Sequence, residues 1–273
     1  MPRFSVIESL CRQDGICASV CPAHVIKGPK GKTPFMRPDR QDSCIACGQC
    51  MAFCPFGAAR VDVLDPSDML PLERSKLPDA ESLSMLFQSR RSIRHFKKEP
   101  VARELLQHIL DETRHAPSAK NRRAVRWIMV YEPEKMRAVG DCAVEGLKLG
   151  LQNPETGPVL AEAKALIKAW GRGLDPLFRG APHLALAVAP IGQPLAREDA
   201  VIALTYLELA ALPYKVGACW AGYIPGIARQ YEPMQRLLGL GPDEEVSGGQ
   251  MLGHIGLRPT ASAPRVPFAT QWL

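Results

Sequence analysis

The sequence predicts an α+β protein with two domains, and this prediction depends on two observations. The cysteines are unevenly distributed, because only Cys142 and Cys219 lie beyond the first 54 residues of the 273-residue chain. Helical and strand-like hydrophobic patterns of a larger, mixed domain begin after residue 79. We therefore expect a cysteine-rich domain at 1–62, a proline-containing linker at 63–79 and an α+β domain at 80–273.

The larger domain shows helices and strands in alternation. Residues 101–115 place Leu105, Leu106, Ile109 and Leu110 on one helical face, which predicts an amphipathic helix. The stretch 198–212 is apolar nearly all round, as expected for a buried or interface helix. Three short apolar runs read as buried strands: 127–130, 184–188 and 250–257.

Composition and charge exclude several classes of function. The net charge of +6 is divided evenly between residues 1–62 and the rest of the chain, so no strongly basic domain stands out and we expect no nucleic-acid-binding surface. The longest apolar runs are much shorter than the roughly 20 residues that span a bilayer, which predicts no transmembrane helix. Residues 1–10 lack the pattern of a signal peptide, and the cytoplasm is the expected location. An odd number of cysteines then favours metal binding over disulfides.

The second cysteine run has the spacing C-x2-C-x2-C-x3-C-P, which is typical of bacterial iron-sulfur proteins. In that pattern the fourth cysteine ligates the other cluster of a two-cluster protein. Zinc sites also use Cys-x2-Cys pairs, but they place a longer insert between two pairs. Iron-sulfur binding is therefore favoured over zinc. The run consists of Cys44, Cys47, Cys50, Cys54 and Pro55.

The first run repeats this spacing with one substitution. Cys11 and Cys17 are as far apart as Cys44 and Cys50, so Asp14 occupies the position of the second ligand. A carboxylate is a harder ligand than a thiolate, which leaves two forms open, 4Fe-4S with Asp14 bound or 3Fe-4S without it. The alternative is that Asp14 is only a turn residue beside Gly15.

Together the two runs resemble the two-cluster bacterial ferredoxins in which an aspartate replaces one cysteine. The resemblance implies a first cluster held by Cys11, Asp14, Cys17 and Cys54. It implies a second cluster held by Cys44, Cys47, Cys50 and Cys21.

Four motifs follow one another in the larger domain. An arginine-rich segment around a serine offers planar and hydroxyl donors to a phosphate. The next motif, APSAKN, follows the amphipathic helix. A segment that reads as a turn and a final LGHIG segment with a basic residue beyond it complete the set. The motifs are 90–96 (RRSIRHF), 116–121, 216–222 (VGACWAG) and 252–256 with Arg265.

The order of these motifs resembles the nitroreductase family of FMN-dependent oxidoreductases over about residues 80–270. That resemblance implies an FMN phosphate held by Arg90, Ser92 and Arg94, with Arg91 nearby and Arg265 closing on it. It implies that Pro117, Ser118 and Asn121 face the ring and ribityl chain, and that Ala221 and Gly222 offer backbone groups. The sequence departs from the family after Asn121, where Arg122 and Arg123 replace the usual Gln-Pro.

The resemblance also implies a homodimer and an enzyme without an acid-base dyad, because the flavin supplies the chemistry. We name no catalytic residue. The expected reaction passes electrons between two iron-sulfur clusters and FMN, and reduces a nitroaromatic, a quinone or a similar small acceptor. A ferredoxin-type protein or NAD(P)H would be the donor, and flow from NAD(P)H to a carrier fits equally well. Alternatives are an electron relay or redox sensor without turnover, and a zinc module fused to a flavoprotein.

Cys142 and Cys219 are expected to be core residues.

Overall fold

The structure is a computed structural model that describes residues 2–153, 155, 157–158 and 160–273. The chain forms two compact units. The first contains the residues up to Leu77 together with Lys120–Arg122, and the second contains Pro78–Ala119 and Arg123–Leu273.

The first unit is built from two small antiparallel strand pairs and two short helices. Strand β1 (Phe4–Val6) pairs with β4 (Ala59–Val61), and β2 (Ile26–Lys27) pairs with β3 (Phe35–Met36). Helices α1 (Ile16–Ser19) and α2 (Gln49–Ala52) each follow a cysteine-run loop. The small core combines apolar side chains with cysteines: Phe4, Cys17, Cys21, Val25, Ile26, Cys50, Met51, Ala59 and Val61.

The second unit contains one four-stranded antiparallel sheet and seven α-helices among its described residues. The strand order is β5 (Arg126–Val130), β6 (His183–Pro190), β8 (Glu244–His254) and β7 (Val216–Trp220). The helices are α3 (Ala80–Ser89), α4 (Arg103–Glu112), α5 (Pro133–Gln152), α6 (Ala163–Gly171), α7 (Ala196–Ala211), α8 (Tyr223–Gln230) and α9 (Glu232–Leu238).

Both faces of this sheet are covered, and β6 shows how. Because successive side chains of a strand point to opposite faces, Leu184 and Leu186 join a core shared with α5, α6, α8 and α9. Ala185 and Ala187 point the other way, into a core shared with α4 and α7. Small side chains on that face let α7 approach the sheet backbone closely.

The structure confirms the predicted helix and strands, with shifted ends. The amphipathic helix α4 runs from Arg103 to Glu112 and continues as a 3-10 turn to His115, while the strand expected at 250–257 begins at Glu244 and ends at His254. The prediction of a turn at 216–222 is wrong. Val216–Trp220 is strand β7, because Val216 and Ala218 pack on one face of the sheet and Cys219 on the other.

Helix α7 also differs from the expectation of an apolar helix. It is buried as predicted, but its buried face includes the two carboxylates Asp199 and Glu208. Buried carboxylates are costly unless they are paired or hydrogen-bonded, so both must have polar partners.

A buried histidine joins the start of β6 to two neighbouring segments. His183 is fully buried, and the backbone N–H of Val101 donates to its Nε2 at 2.9 Å. The ring is therefore neutral, with the proton on Nδ1, which donates to the carbonyl of Tyr131 at 3.1 Å. Burial lowers the pKa of His183 below its ordinary value.

No helix in the described ranges is both long enough and apolar enough to span a bilayer.

The buried neutral His183 predicts a loss of stability in mild acid. The unfolded chain takes up this proton near pH 6.5, whereas the folded protein does so at a lower pH. The free energy of unfolding is therefore fully retained above about pH 6.5 and falls as the pH drops below it. Urea unfolding at pH 7.5 and 5.5 can be followed by tryptophan fluorescence, since all four tryptophans lie in the second unit.

The matched variant is His183→Gln, whose amide can accept and donate in a similar position without titrating. Its loss of stability between the two pH values should be smaller than that of the wild type. An equal loss in both proteins would contradict the role given to His183.

Candidate functional site

The two cysteine-run loops share one backbone conformation. Adding 33 to each residue number of the first run gives the second, and three left-handed positions coincide under this shift. Gln13 (φ 55°) corresponds to Ala46 (φ 47°), and Gly15 (φ 77°) to Gly48 (φ 72°). The third pair is His24 (φ 52°) and Gly57 (φ 58°). Positive φ is uncommon for residues other than glycine, so the coincidence indicates a structural repeat in which Asp14 stands where Cys47 stands.

Four thiols of the first unit surround one cavity. Cys21, Cys44, Cys47 and Cys50 line it together with apolar side chains that include Val25 and Ile26. Burial, together with the nearby Cys47, Cys21 and Cys44, raises the pKa of Cys50 to about 11. Such a cradle of thiols with an apolar wall has the chemistry that an iron-sulfur cluster requires. Among the described residues, no three Cys, His, Asp or Glu side chains lie close enough to share one metal ion.

The other candidate ligands lie around Cys17. Burial raises the pKa of the Cys17 thiol, and Asp14, Cys11 and Cys54 raise it further. Two of these sulfurs accept backbone hydrogen bonds: Gln13 N–H donates to Cys11 Sγ at 3.4 Å and Ala58 N–H to Cys54 Sγ at 3.2 Å.

Asp14 combines a turn contact with an exposed position. Its Oδ1 accepts the backbone N–H of Ile16 at 3.0 Å, which is the contact of a turn residue at the start of α1. This bond uses one of the two carboxylate oxygens. Asp14 is exposed, and its neighbour Gly15 takes the left-handed conformation. The turn interpretation and the ligand interpretation of Asp14 are therefore compatible.

Strand β7 holds the arginine-rich segment in place. The N–H of Ile93 donates to the Ala218 carbonyl at 2.9 Å, and the Ile93 side chain covers Gly217, where a Cβ would lie only 2.7 Å from it. Ser92 lies near the thiol of Cys219 and acts to lower its pKa. Burial raises the pKa of Cys219, while Arg94 and Arg179 act in the opposite direction. This segment is therefore fixed to the sheet with Ser92 and Arg94 beside Cys219.

Arg90 is paired with a buried carboxylate. Its Nη1 lies 2.8 Å from Oε1 of Glu208 on α7, and the Glu208 side chain is only 7% exposed. The pair compensates the carboxylate and fixes the end of α3, so the positive charge of Arg90 is already partly neutralised.

The second buried carboxylate of α7 holds the APS loop. Oδ1 of Asp199 accepts the N–H of Ala119 at 2.9 Å, and Ser118 Oγ accepts the N–H of Arg123 at 3.0 Å. Asn121 lies in the part of this loop that belongs to the first unit, where its side-chain amide donates to the carbonyls of Ile45 and Ala46.

Eight of the ten predicted flavin-binding residues line three separate cavities of the second unit; Ser92 and Asn121 line none of the three. Arg90, Arg91 and Arg265 line one cavity, together with the serines Ser84 and Ser262. Pro117 and Ser118 line a second, between α4 and α7. Arg94, Ala221 and Gly222 line the third, where the N–H of Ala221 donates to the Gly249 carbonyl.

Sequence reasoning missed Arg179, which lies in this third cavity. The two carboxylate oxygens of Asp175 accept the N–H groups of Phe178 and Gly180, each at 2.8 Å, and fix the turn that presents Arg179. Arg179 has a φ of 56°. The cavity contains the two arginines Arg94 and Arg179 and no acidic residue among the described residues that line it. The Asp-x-x-x-Arg-Gly spacing is the one sequence signal that marks this turn.

The two cysteines outside the runs are packing residues, as expected. Cys219 is 4% exposed and belongs to the core on the α5 face of the sheet. Cys142 is partly buried against the same core.

Two family models match the chain, one in each part of it. The model of the nitroreductase family matches residues 87–254, and the model of a 4Fe-4S dicluster domain matches residues 10–59. The chain is 30% identical over 161 residues to an NADH dehydrogenase of Thermus thermophilus, which covers 55% of this chain and 76% of that protein.

Two further likenesses concern single units. The chain is 39% identical over 72 residues to the electron transport protein HydN of Escherichia coli, which covers 23% of this chain and 39% of HydN. The chain therefore spans about two fifths of that relative. An FMN-bound nitroreductase of Bacteroides fragilis superimposes with a TM-score of 0.59 at 17% identity, over 70% of this chain and 98% of that one. This last likeness establishes the fold alone.

A double-mutant cycle should show strong coupling between Arg90 and Glu208. Arg90→Ala leaves a buried carboxylate without its cation and should cost about 3 kcal/mol of unfolding free energy. Glu208→Ala should cost less, because Arg90 is about a third exposed and reaches solvent. The double variant should be less destabilised than the sum of the two by about 1–2 kcal/mol.

The control pair is Glu145 and Lys148 on α5, whose side chains are both largely exposed. Its coupling energy should not exceed about 0.5 kcal/mol. Equal coupling in the two cycles would contradict the structural role of the Arg90–Glu208 pair.

Proposed function

This chain belongs to the nitroreductase family and is an FMN-dependent oxidoreductase with a 4Fe-4S dicluster domain, and we propose that its two clusters exchange electrons with FMN to reduce a small organic acceptor. A nitroaromatic or a quinone is the acceptor class of this proposal. Iron-sulfur clusters carry single electrons, while bound FMN takes up electrons singly and gives up two, so the combination converts one-electron into two-electron transfer. The observation that supports the proposal is the structural repeat of the two cysteine-run loops, each with four candidate ligands grouped together, on the chain that holds the nitroreductase domain.

Eight side chains would hold the two clusters. The second cluster is assigned to Cys21, Cys44, Cys47 and Cys50, supported by the cavity that these thiols line. The first is assigned to Cys11, Asp14, Cys17 and Cys54, supported by their grouping around Cys17. We propose Asp14 as a ligand because it occupies the position of Cys47 in the repeat. The 4Fe-4S form keeps this carboxylate bound, and the 3Fe-4S form lacks it.

We propose that residues of the three cavities of the second unit bind different parts of FMN. Arg91 and Arg265 would take the phosphate, with Arg90 beside them, since two charges in that cavity remain after Glu208 is paired. Ser92 and Arg94 would face the flavin from the side of Cys219, with the Gly222 amide and the Ala221 carbonyl as backbone groups. Pro117 and Ser118 would border the ring and the ribityl chain from the APS loop.

A second copy of the chain would complete this site. The proposed flavin ligands line separate cavities of the protomer, and α3 buries none of its own side chains among the described residues. Met85 and Phe87 of α3 are exposed, which suits an interface helix. We therefore propose a homodimer with FMN between the subunits, working in the cytoplasm, where seven thiol ligands stay reduced.

Two donors have support from the relatives. HydN is named an electron transport protein, which supports a ferredoxin-type donor that feeds the clusters. The Thermus thermophilus relative is named an NADH dehydrogenase, which supports flow from NAD(P)H through FMN. Stopped-flow reduction of the flavin by NADH, by NADPH and by dithionite-reduced ferredoxin distinguishes the two directions.

Anaerobically purified protein should be brown, contain iron and acid-labile sulfide for two clusters per chain, and release FMN on denaturation. At least one of the three donors should reduce the flavin at least as fast as the protein turns over with a quinone as acceptor. Protein that contains zinc and no sulfide, or flavin that none of the donors reduces, would contradict the proposal.

Asp14→Cys should change the low-temperature EPR spectrum of the reduced protein, because a thiolate replaces a carboxylate at one iron. Cys47→Asp is the matched variant, since it places the carboxylate at the corresponding position of the other loop. Its spectrum should change as well, in the signal of the second cluster. An Asp14→Cys spectrum identical to the wild type, with unchanged iron content, would mean that Asp14 is only a turn residue.

A further inference from the structure

The turn between β2 and β3 carries an isolated positive charge. Lys27, Lys30 and Lys32 lie on this hairpin, and all three are exposed. No Asp or Glu occurs between Asp14 and Asp39 in the sequence. In the described part of the chain none of the three lysines forms an ion pair, and Asp39 is paired with Arg37 at 2.6 Å. We call residues 26–36 the basic hairpin.

The basic hairpin is fastened to the loop that carries Asp14. The N–H of Gly31 donates to the Gln13 carbonyl at 2.8 Å, and the Gln13 side-chain amide donates to Thr33 Oγ1 at 3.2 Å. Gly15 packs so closely on the hairpin that a Cβ there would lie 3.1 Å from the Gly28 carbonyl. The three lysines are therefore held beside the Asp14 loop by contacts on both sides of Asp14.

Apolar side chains also lie next to the Asp14 loop. Arg12, the neighbour of Gln13, lies over the ring of Phe56 at 5.9 Å. Leu10, Phe53 and Phe56 are exposed, and they flank Cys11 and Cys54 in the sequence. A merely solvated lysine-rich surface does not explain why aromatic and aliphatic side chains are exposed beside the proposed cluster ligands. Exposed apolar groups bordered by charge are typical of a protein-binding surface.

From these contacts we infer that the basic hairpin, together with Arg12 and the exposed side chains of Leu10, Phe53 and Phe56, forms the docking surface for an acidic one-electron carrier protein, which transfers electrons to the cluster of the Asp14 loop. This inference rests on the proposed function and specifies its partner. The charge selects a protein with a negative surface and accelerates its encounter, while the small apolar patch permits rapid release. Weak redox complexes have small interfaces of this kind.

The electron count is balanced by two encounters. In each, one reduced carrier loses one electron and one cluster gains it. Two encounters supply the two electrons for the organic acceptor, and two protons come from solvent. A quinone then becomes the quinol, whereas a nitro group becomes a nitroso group and releases its oxygen as water.

The test uses the full-length holoprotein and plant-type [2Fe-2S] ferredoxin, a strongly acidic carrier. In the variant Lys27→Glu/Lys30→Glu/Lys32→Glu, the rate of reduction by reduced ferredoxin should fall at least about tenfold at low ionic strength. The affinity for oxidised ferredoxin, measured by calorimetry, should fall with it. Raising the salt concentration should slow the wild type, because the attraction is screened, and should not slow the variant.

The matched control is Lys135→Glu/Lys164→Glu/Lys168→Glu, which makes the same charge change at exposed positions of the second unit. It should keep at least half of the wild-type rate. Photoreduction by neutral deazariboflavin should be equal in all three proteins, and equal iron and sulfide contents show that the variants retain their clusters.

Three outcomes overturn the inference: equal ferredoxin rates in the two triple variants, an unchanged affinity for ferredoxin, or a salt dependence that persists in the hairpin variant. Each of them leaves the proposed function intact as long as deazariboflavin reduces the clusters and the flavin. If deazariboflavin reduces neither, the proposed function itself fails.

Discussion

Two carboxylates buried on helix α7 organise the second unit. Asp199 and Glu208 are each 6% exposed, in a helix that packs on the alanine-rich face of the sheet. A carboxylate removed from water needs compensating hydrogen bonds or a cation. Asp199 obtains a backbone hydrogen bond from the APS loop, and Glu208 obtains the guanidinium of Arg90. Because each buried carboxylate requires a polar partner, Asp199 fixes the position of the APS loop and Glu208 fixes that of the arginine-rich segment.

The same dependence links packing to the site. Helix α7 approaches the sheet because Ala185 and Ala187 present small side chains to it, and β7 lies in the same sheet. Strand β7 in turn holds the Ser92–Arg94 segment through Ile93 and Gly217. A larger side chain at Gly217 would therefore displace donors proposed for the flavin without touching any of them. Core packing and ligand geometry cannot be varied independently in this unit.

The sequence predicted what depends on local spacing and missed what depends on distant partners. Spacing alone grouped the cysteines into two runs and revealed Asp14 as the odd member. Hydrophobic period located α4, and short apolar runs located β5 and β6. The turn expected at 216–222 was wrong because Val216–Trp220 pairs with β8, and the distant Ile93 fills the space above Gly217. The roles of Asp199 and Glu208 could not be predicted, since their partners lie 80 and 118 residues away in the chain. Arg179 depends on a turn that Asp175 fixes, and this turn carries no hydrophobic period.

The repeat of the two cysteine-run loops separates backbone shape from side-chain chemistry. Left-handed residues on both sides of Asp14, and on both sides of Cys47, set the path of the chain at these positions. Neither Asp14 nor Cys47 has to adopt that conformation itself. The residue at this position can therefore change between a hard and a soft donor while the surrounding fold stays the same. Under the ligand assignment proposed for Asp14, variation at this one codon changes how tightly one iron is held, at little cost in foldability.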